Sequence, residues 1–282
     1  MPKISVMTPV YNTNPEHLRA MIESVLGQTF TDFEFIILND SPENKELKEI
    51  IKSYDDPRIV YAENERNIGI SESRNRLLEM SRGEYLAVCD HDDISMPDRF
   101  ALQSEFLDNN PKVGVVGAQF KYFDSDLQYT SAHPESNYKI KLLLLKGCCV
   151  AHPASMIRKS VLIQSGVRYE QRYSPAEDYM LWCRLMEWTS FHNMPDILLD
   201  YRHHENMTSM TQKEQQFAAM HEILFYVQNK YPAWVEKELR KTPKRILIFG
   251  IIPLLKIHYA KNRTNKQWVK LFNIIPILKI KR

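Results

Sequence analysis

The chain has 282 residues, 44% of them apolar, and a formal net charge of +2. It can bury a full core, which excludes a disordered or fibrous protein and leaves one large domain with an appendage or two small domains. Its cysteines, Cys89, Cys148, Cys149 and Cys183, have neither CxxC spacing nor the density of a secreted scaffold, so they are expected to be buried thiols in a reducing compartment.

Met1-Pro2-Lys3 leads at once into a β-rich run at Ile4–Val10. No basic n-region and apolar h-region come before it, so no signal peptide and a cytoplasmic location are expected. Residues 15–28 then carry helix-spaced apolar side chains at Leu18, Met21, Ile22, Val25 and Leu26. The unit repeats: 33–38 is apolar and stops at Asn39-Asp40-Ser41-Pro42, and 43–54 is charged with helical spacing. A third strand is expected at 58–62, a helix at 71–80, and a fourth strand at 84–89 that ends in Asp90-His91-Asp92-Asp93. Near-continuous apolar strands alternating with helices predict a mostly parallel α/β sheet covered on both faces. Ligands in such sheets sit beyond the carboxyl ends of the strands, so the polar clusters ending strands one, two and four should meet at one rim. Past Asp98 the alternation loosens into a helix to Asn109, a strand at 113–120 and a mixed region that includes 142–145. A helix at 177–187, opened by Pro175, and a longer one at 211–229 follow.

Asp90, Asp92 and Asp93 would crowd three carboxylates at one strand end, a costly repulsion unless a cation neutralises it. Oxygen ligands favour Mg²⁺ or Mn²⁺, held by one or two carboxylates and a diphosphate. The plain alternative is a polar turn in which Asp93 or Ser95 caps the next helix. Asp40 ends strand two, where its carboxylate can hydrogen-bond a nucleobase, and Thr8, Pro9, Tyr11 and Asn12 end strand one beside it. Asn67-Ile68-Gly69-Ile70 leads into a helix with Arg74 and Asn75, so backbone amides and a guanidinium could face an anion. Each of these alone is more often a turn or a cap.

Taken in order, the set resembles glycosyltransferase family 2, of the GT-A fold. It comprises Ile4 to Asn12, Ser24-Val25-Leu26-Gly27-Gln28-Thr29, Asp40, Asn67-x-Gly69 with Arg74-Asn75, Asp90-x-Asp92-Asp93, Met96-Pro97-Asp98-Arg99 and Glu177-Asp178. The resemblance covers roughly residues 3–210. It implies a Rossmann-like nucleotide-binding sheet flanked by helices. It also implies a nucleotide-sugar donor, usually uridine-linked, and a metal-dependent, single inverting displacement onto a hydroxyl of a bacterial surface glycan or lipid-linked oligosaccharide. By this resemblance Thr8, Pro9, Tyr11, Asp40, Asn67, Gly69, Arg74, Asp90 and His91 form the nucleotide pocket, with Asp40 towards the base and Arg74 towards the diphosphate. Asp92, Asp90 and His204 hold the metal, Asp178 is the general base with Glu177 beside it, and Asp93 and His152 are further site candidates. His204 closes Tyr201-Arg202-His203-His204, similar to a C-terminal motif of the family. One departure is Asn39-Asp40-Ser41-Pro42, where the family often has two acids followed by Gly-Ser. The QxxRW signature of processive synthases is absent, so one sugar per encounter is expected.

Two other classes fit less well. A sugar-nucleotide nucleotidyltransferase would carry an early Gly-rich phosphate loop, yet residues 9–20 contain no glycine. A non-catalytic nucleotide-sugar-binding protein could dispense with a base, which makes Glu177-Asp178 the discriminating feature.

The organisation expected is a catalytic domain over 1–210, with a nucleotide-sugar half to about 110 and an acceptor-facing half to 210. A helical extension over 211–282 ends in a basic amphipathic tail. No acidic residue follows Glu238, whereas 12 Lys and Arg lie between Arg240 and Arg282, so an acidic body carries a basic end. An apolar run at 249–257 recurs at 272–280, each copy broken by proline and flanked by basic residues. Both runs are shorter than the ~20 residues needed to span a bilayer. The tail therefore fits the inner face of an anionic membrane better than nucleic acid. The alternative is a helical hairpin packed on the domain or on a second copy of the chain, giving a homo-oligomer.

Overall fold

The computed structural model describes residues 1–124, 126–204, 207 and 211–234, together with the backbone of Gln267–Leu271 and Ile275–Ile280. The first half alternates strand and helix as the apolar pattern requires: β1 (Ile4–Val10), α1 (Pro15–Leu26), β2 (Phe33–Asn39), α2 (Lys45–Lys52), β3 (Ile59–Glu63), α3 (Ile70–Met80) and β4 (Tyr85–Val88). Every residue of β1, β2 and β4 is buried, because helices cover both faces. Then follow β5 (Ile94–Ser95), α4 (Arg99–Asn109), β6 (Val113–Phe123), α5 (Asn137–Leu144), β7 (Met156–Arg158), α6 (Lys159–Ser165), α7 (Glu177–Leu185), β8 (Ser190–Arg202) and α8 (Lys213–Lys230).

These strands make one sheet in the order β3-β2-β1-β4-β7-β6-β8-β5. The pairs from β3 to β4 and the pair β6/β8 are parallel, while β7 and β5 run antiparallel to their neighbours. One face is packed by Leu18, Ile22 and Val25 of α1, Leu47 and Ile51 of α2, and Phe100 and Leu107 of α4. The other is packed by Leu77 of α3, Ile140 of α5, Trp182 and Leu185 of α7, and Ile223 and Val227 of α8. In-register pairing of Val10 with Asn39, and of Met7 with Val88, brings the ends of β1, β2 and β4 to one rim.

Part of the motif set turns out to be scaffolding. Gln28 donates to the carbonyls of Ser24 (3.0 Å) and Met96 (2.7 Å) and accepts from the Phe100 amide (3.1 Å). Thr29 donates to Asp98 at 2.9 Å. Arg99 is fully buried and donates to Val88 O, Ser155 O, Ser95 Oγ and Gln103 Oε1. Together they pin α1 and α4 beneath the loop that bears the acidic cluster.

The structure adds elements that the apolar pattern did not reveal. β7 and β5 are too short to show a period, and β8 carries Pro195, Asp196 and Asp200 within its length. The mixed region resolves into α5. Cys89, Cys149 and Cys183 are buried as expected, but Cys148, in the loop between α5 and β7, is exposed. The helical extension is present as α8. Beyond it, Gln267–Leu271 and Ile275–Ile280 pair as an antiparallel hairpin rather than a helix. Val269, Ile275, Ile277 and Ile280 are β-branched and Pro276 opposes helix, so extended backbone wins there. The earlier copy of the repeat, 249–257, lies outside the described residues. Among the described residues, no helix is long and apolar enough to cross a membrane.

Candidate active site

The nucleoside side of the rim is built around Asp40. Its Oδ1 accepts from Asn64 Nδ2 (2.6 Å) and the Ile68 amide (2.9 Å), and its Oδ2 accepts from the Gly69 amide at 3.0 Å. Expected to face a base, this carboxylate spends most of its acceptor capacity on shaping the loop before α3. Asn67 Oδ1 shares the Gly69 amide at 2.9 Å. Gly69 adopts φ +86°, a region that disfavours any side chain, and an added Cβ would sit 3.3 Å from the Gln171 amide oxygen. Thr8 is fully buried with an unpartnered Oγ1, Pro9 is buried, and Tyr11 is half exposed above them.

The acidic cluster after β4 is held by the end of β8. Arg202 donates its backbone amide to Asp93 Oδ1 and its Nε to the Asp92 carbonyl, both at 2.8 Å, and bonds Asp124 through Nη1. Asp93 therefore caps no helix. Burial, followed by the charges of Asp92 and Asp90, holds its carboxyl well above the usual range, and its Oδ2 has no partner. His204 Nε2 lies 3.1 Å from Asp92 Oδ2, and His91 Nδ1 lies 3.9 Å from Asp92 Oδ1. His17 of α1 adds a second ring 5.9 Å from that of His204.

Arg74 connects this cluster to α7. Its Nη1 bonds Glu177 Oε1, and its Nη2 bonds Asp90 Oδ1 at 3.2 Å. The guanidinium, expected to face the diphosphate, bridges these two carboxylates and is only 8% exposed. Asp178 begins α7 beside it and accepts from the Tyr179 amide at 2.7 Å. Burial and the adjacent Glu177 charge push Asp178 up to about 7, against the opposing pull of Arg74. The fold thus places a carboxyl near neutrality next to a fixed cation, an arrangement suited to a general base. His152 does not reach the cluster: it is buried, with Nε2 2.9 Å from the Tyr169 hydroxyl.

The donor set suits a hard cation. Asp92 and His204 approach each other, Asp90 lies two residues away, and Asp93 keeps an unpartnered buried oxygen. Among the described residues no group of three or more such side chains is already assembled. Sequence reasoning missed His17, which carries no distinctive local signal, and quoted Asn75 and Arg202 only as members of motifs, without a role of their own. The clue for Arg202 was its place next to His204 in a four-residue polar cluster.

The chain is 32% identical over 225 residues to an uncharacterized glycosyltransferase of Methanocaldococcus jannaschii, covering 77% of each chain. It is 29% identical over 209 residues to the amylovoran biosynthesis glycosyltransferase AmsE of Erwinia amylovora, covering 73% of this chain and 78% of AmsE. Among solved structures the fold is similar to S. aureus TarS 1-349 in complex with UDP-GlcNAc, with a TM-score of 0.64 at 19% identity. That match covers 78% of this chain and spans 65% of the TarS chain. It is also similar to the mannosyltransferase PcManGT of Pyrobaculum calidifontis in complex with GDP-Man and Mn²⁺, with a TM-score of 0.58 at 14% identity, covering 86% of this chain and 76% of that one. The profile of Glycosyl transferase family 2 matches residues 5–166, the span that supplies the Asp40 loop, Arg74 and the acidic cluster, so the chain belongs to that family of glycosyltransferases.

Proposed function

We propose that the protein transfers one sugar at a time, with inversion, from a UDP-linked hexose or N-acetylhexosamine to a hydroxyl of a bacterial surface glycan or lipid-linked oligosaccharide. The observation that carries this reading is the Arg74 bridge, bonded at once to Asp90 among the strand-end acids and to Glu177 beside Asp178. It ties the leaving-group side and the base side into one unit, the geometric demand of an in-line displacement. Residues up to about 110 supply the donor side, and 111–210 supply the acceptor side.

In this mechanism the Asp40 loop shapes the nucleoside pocket, with Thr8, Pro9 and Tyr11 on its other wall. Asp178 takes the proton of the attacking hydroxyl, and the Tyr179 amide holds one of its oxygens while it does so. Arg74 keeps the carboxylates apart in charge and fixed in place. Mn²⁺ or Mg²⁺ would be held by Asp92 and His204 with Asp90 alongside, and when bound it supplies positive charge against the leaving diphosphate. Complexes of structurally similar proteins with UDP-GlcNAc, and with GDP-Man and Mn²⁺, support a nucleotide-sugar donor and a divalent cation. The likeness to AmsE supports a polysaccharide acceptor.

The basic tail holds the enzyme peripherally on the cytoplasmic face of the membrane, where lipid-linked acceptors are found. Its 12 basic residues after Glu238 support this, each contributing about 1 kcal/mol near an anionic leaflet. Full-length protein is expected to float with anionic vesicles and to detach in high salt. Failure to float would return the tail to a structural role.

The test of the chemistry is a donor screen, in which purified protein, Mn²⁺ or Mg²⁺ and a panel of nucleotide sugars are assayed for released nucleotide with and without an oligosaccharide acceptor. Release that needs metal and is lost in Asp178→Asn supports the reading. Release that persists in Asp178→Asn moves the base elsewhere, with Glu177 next in line.

A further inference from the structure

Tyr169 and His152 stand outside the mechanism above, yet their surroundings are unusually specific. Tyr169 lies in the loop between α6 and α7 with no ladder or helix to hold it. It is nonetheless 3% exposed and fixed by three side-chain hydrogen bonds. Asn75 Nδ2 donates to its carbonyl and Asn75 Oδ1 accepts from its amide, both at 2.9 Å, and its hydroxyl meets His152 Nε2 at 2.9 Å. The His152 ring stands edge-on to the tyrosine ring at 87°. On the other side, the Arg74 guanidinium carbon sits 5.6 Å from the Tyr169 ring centre. Arg74 and Asn75 are consecutive on α3, so one helical turn supplies both the cation over the ring and the clamp on the backbone beneath it.

His152 Nδ1 is buried and without a partner. Whichever tautomer the ring adopts, one nitrogen is left unsatisfied, which costs stability relative to an apolar side chain of similar shape. Burial, followed by the charges of Arg74 and Arg99, keeps the ring neutral. An apolar residue would fill this space at less cost but could not orient the tyrosine hydroxyl.

We propose that Tyr169, oriented by His152 and clamped by Asn75, is a positioning residue for Arg74, and through Arg74 for Asp178. Its ring forms a floor that stops the guanidinium from swinging away from Glu177 and Asp90, so that Asp178 keeps its cationic neighbour. This rests on Asp178 being the base. The charged and titratable groups facing Asp178 are Glu177 and Cys183 on its own helix, Arg74 from α3, Asp90 after β4, Cys148 from the loop before β7, and Tyr169 itself. Arg74 is the one that favours the ionised form most directly. A guanidinium free to move favours it less.

The experiment compares wild type, Tyr169→Leu and Tyr169→Phe in the full chain, measuring kcat, KM for donor and the acid limb of kcat/KM. Tyr169→Leu removes the floor and is expected to lower kcat by about 10-fold or more, within the up to about 10²-fold cost of a displaced group. Donor KM should stay within about twofold, and the acid limb should move up by up to about one pH unit, the lower end of the effect of a nearby opposite charge. Tyr169→Phe keeps the ring and cuts only the His152 link, so it should show the same changes in smaller measure. It preserves volume and so provides the reading if the leucine variant does not fold. A merely structural tyrosine would lower the thermal midpoint in both variants without moving the acid limb, and that outcome overturns the proposal. The failure of the base assignment is separately visible: in that case Asp178→Asn would retain turnover and the acid limb.

Discussion

The two acidic regions of the rim are satisfied in opposite ways. Asp40 accepts from three N–H groups of its own neighbourhood, so it is a finished joint whose product is the shape of the Asn64 to Gly69 loop. Around Asp90 to Asp93 and Glu177-Asp178, oxygens are left over. Asp93 Oδ2 and Glu177 Oε2 are buried without partners, and burial with neighbouring like charge drives Asp93 and Asp178 towards their protonated forms. A polar group that only builds shape is paired within the fold, whereas one whose partner arrives with a substrate stays incomplete.

The largest effect belongs to the incomplete region. Asp178→Asn should cut kcat by about 10² to 10⁴-fold, the usual worth of a general base, with nucleotide binding nearly intact by calorimetry. Equal turnover would erase the distinction. His204→Ala should weaken metal-dependent UDP binding by at least about 10 to 100-fold, since losing even an outer partner of a metal ligand costs that much. Titrations with and without EDTA would separate this from a loss of the nucleoside pocket, which is metal-independent.

The third effect is on pH dependence. Asp178 acts ionised, so kcat/KM should fall about tenfold per pH unit below about 7. The folded-state pKa is raised above the unfolded value, so the stability this group contributes is full below about 4 and is lost as pH rises to about 7. Asp178→Asn, a neutral mimic, should therefore gain thermal stability over wild type between those values and hold the gain above them. A difference that does not change with pH would mean that Asp178 is not perturbed. The smallest effect belongs to the finished region. Gly69→Ala should cost about 1–3 kcal/mol, because a side chain is forced into positive φ against Gln171. Urea unfolding measures it, and the acid limb of activity should stay where it was.

The first half of the fold was legible because each buried parallel strand reads as an apolar run and each polar cluster after it marks a strand end. Thus the apolar and polar pattern was enough to place Asp40, Asp90 and Asp92 at one rim. The second half was harder to read. β7 is three residues long and β8 mixes proline and aspartates with its apolar positions, so neither has a period to detect. The tail was read as helical from its basic amphipathic pattern, but its described end is a hairpin where β-branched residues and proline prevail.

Sequence alone therefore determined the family and the alternating sheet, and proposed the residues of the candidate site, because these follow from local periodicity and ordered motifs. Tertiary structure decided the partners. That Arg74 binds Glu177 rather than open solvent, that Arg202 holds Asp92 and Asp93, and that His152 lies behind Tyr169 all depend on contacts between residues separated by 17 to 110 positions. Hydrogen bonds and charge interactions act through space over a few ångströms, and only the closing of the sheet by β7 and β8 brings those residues that near.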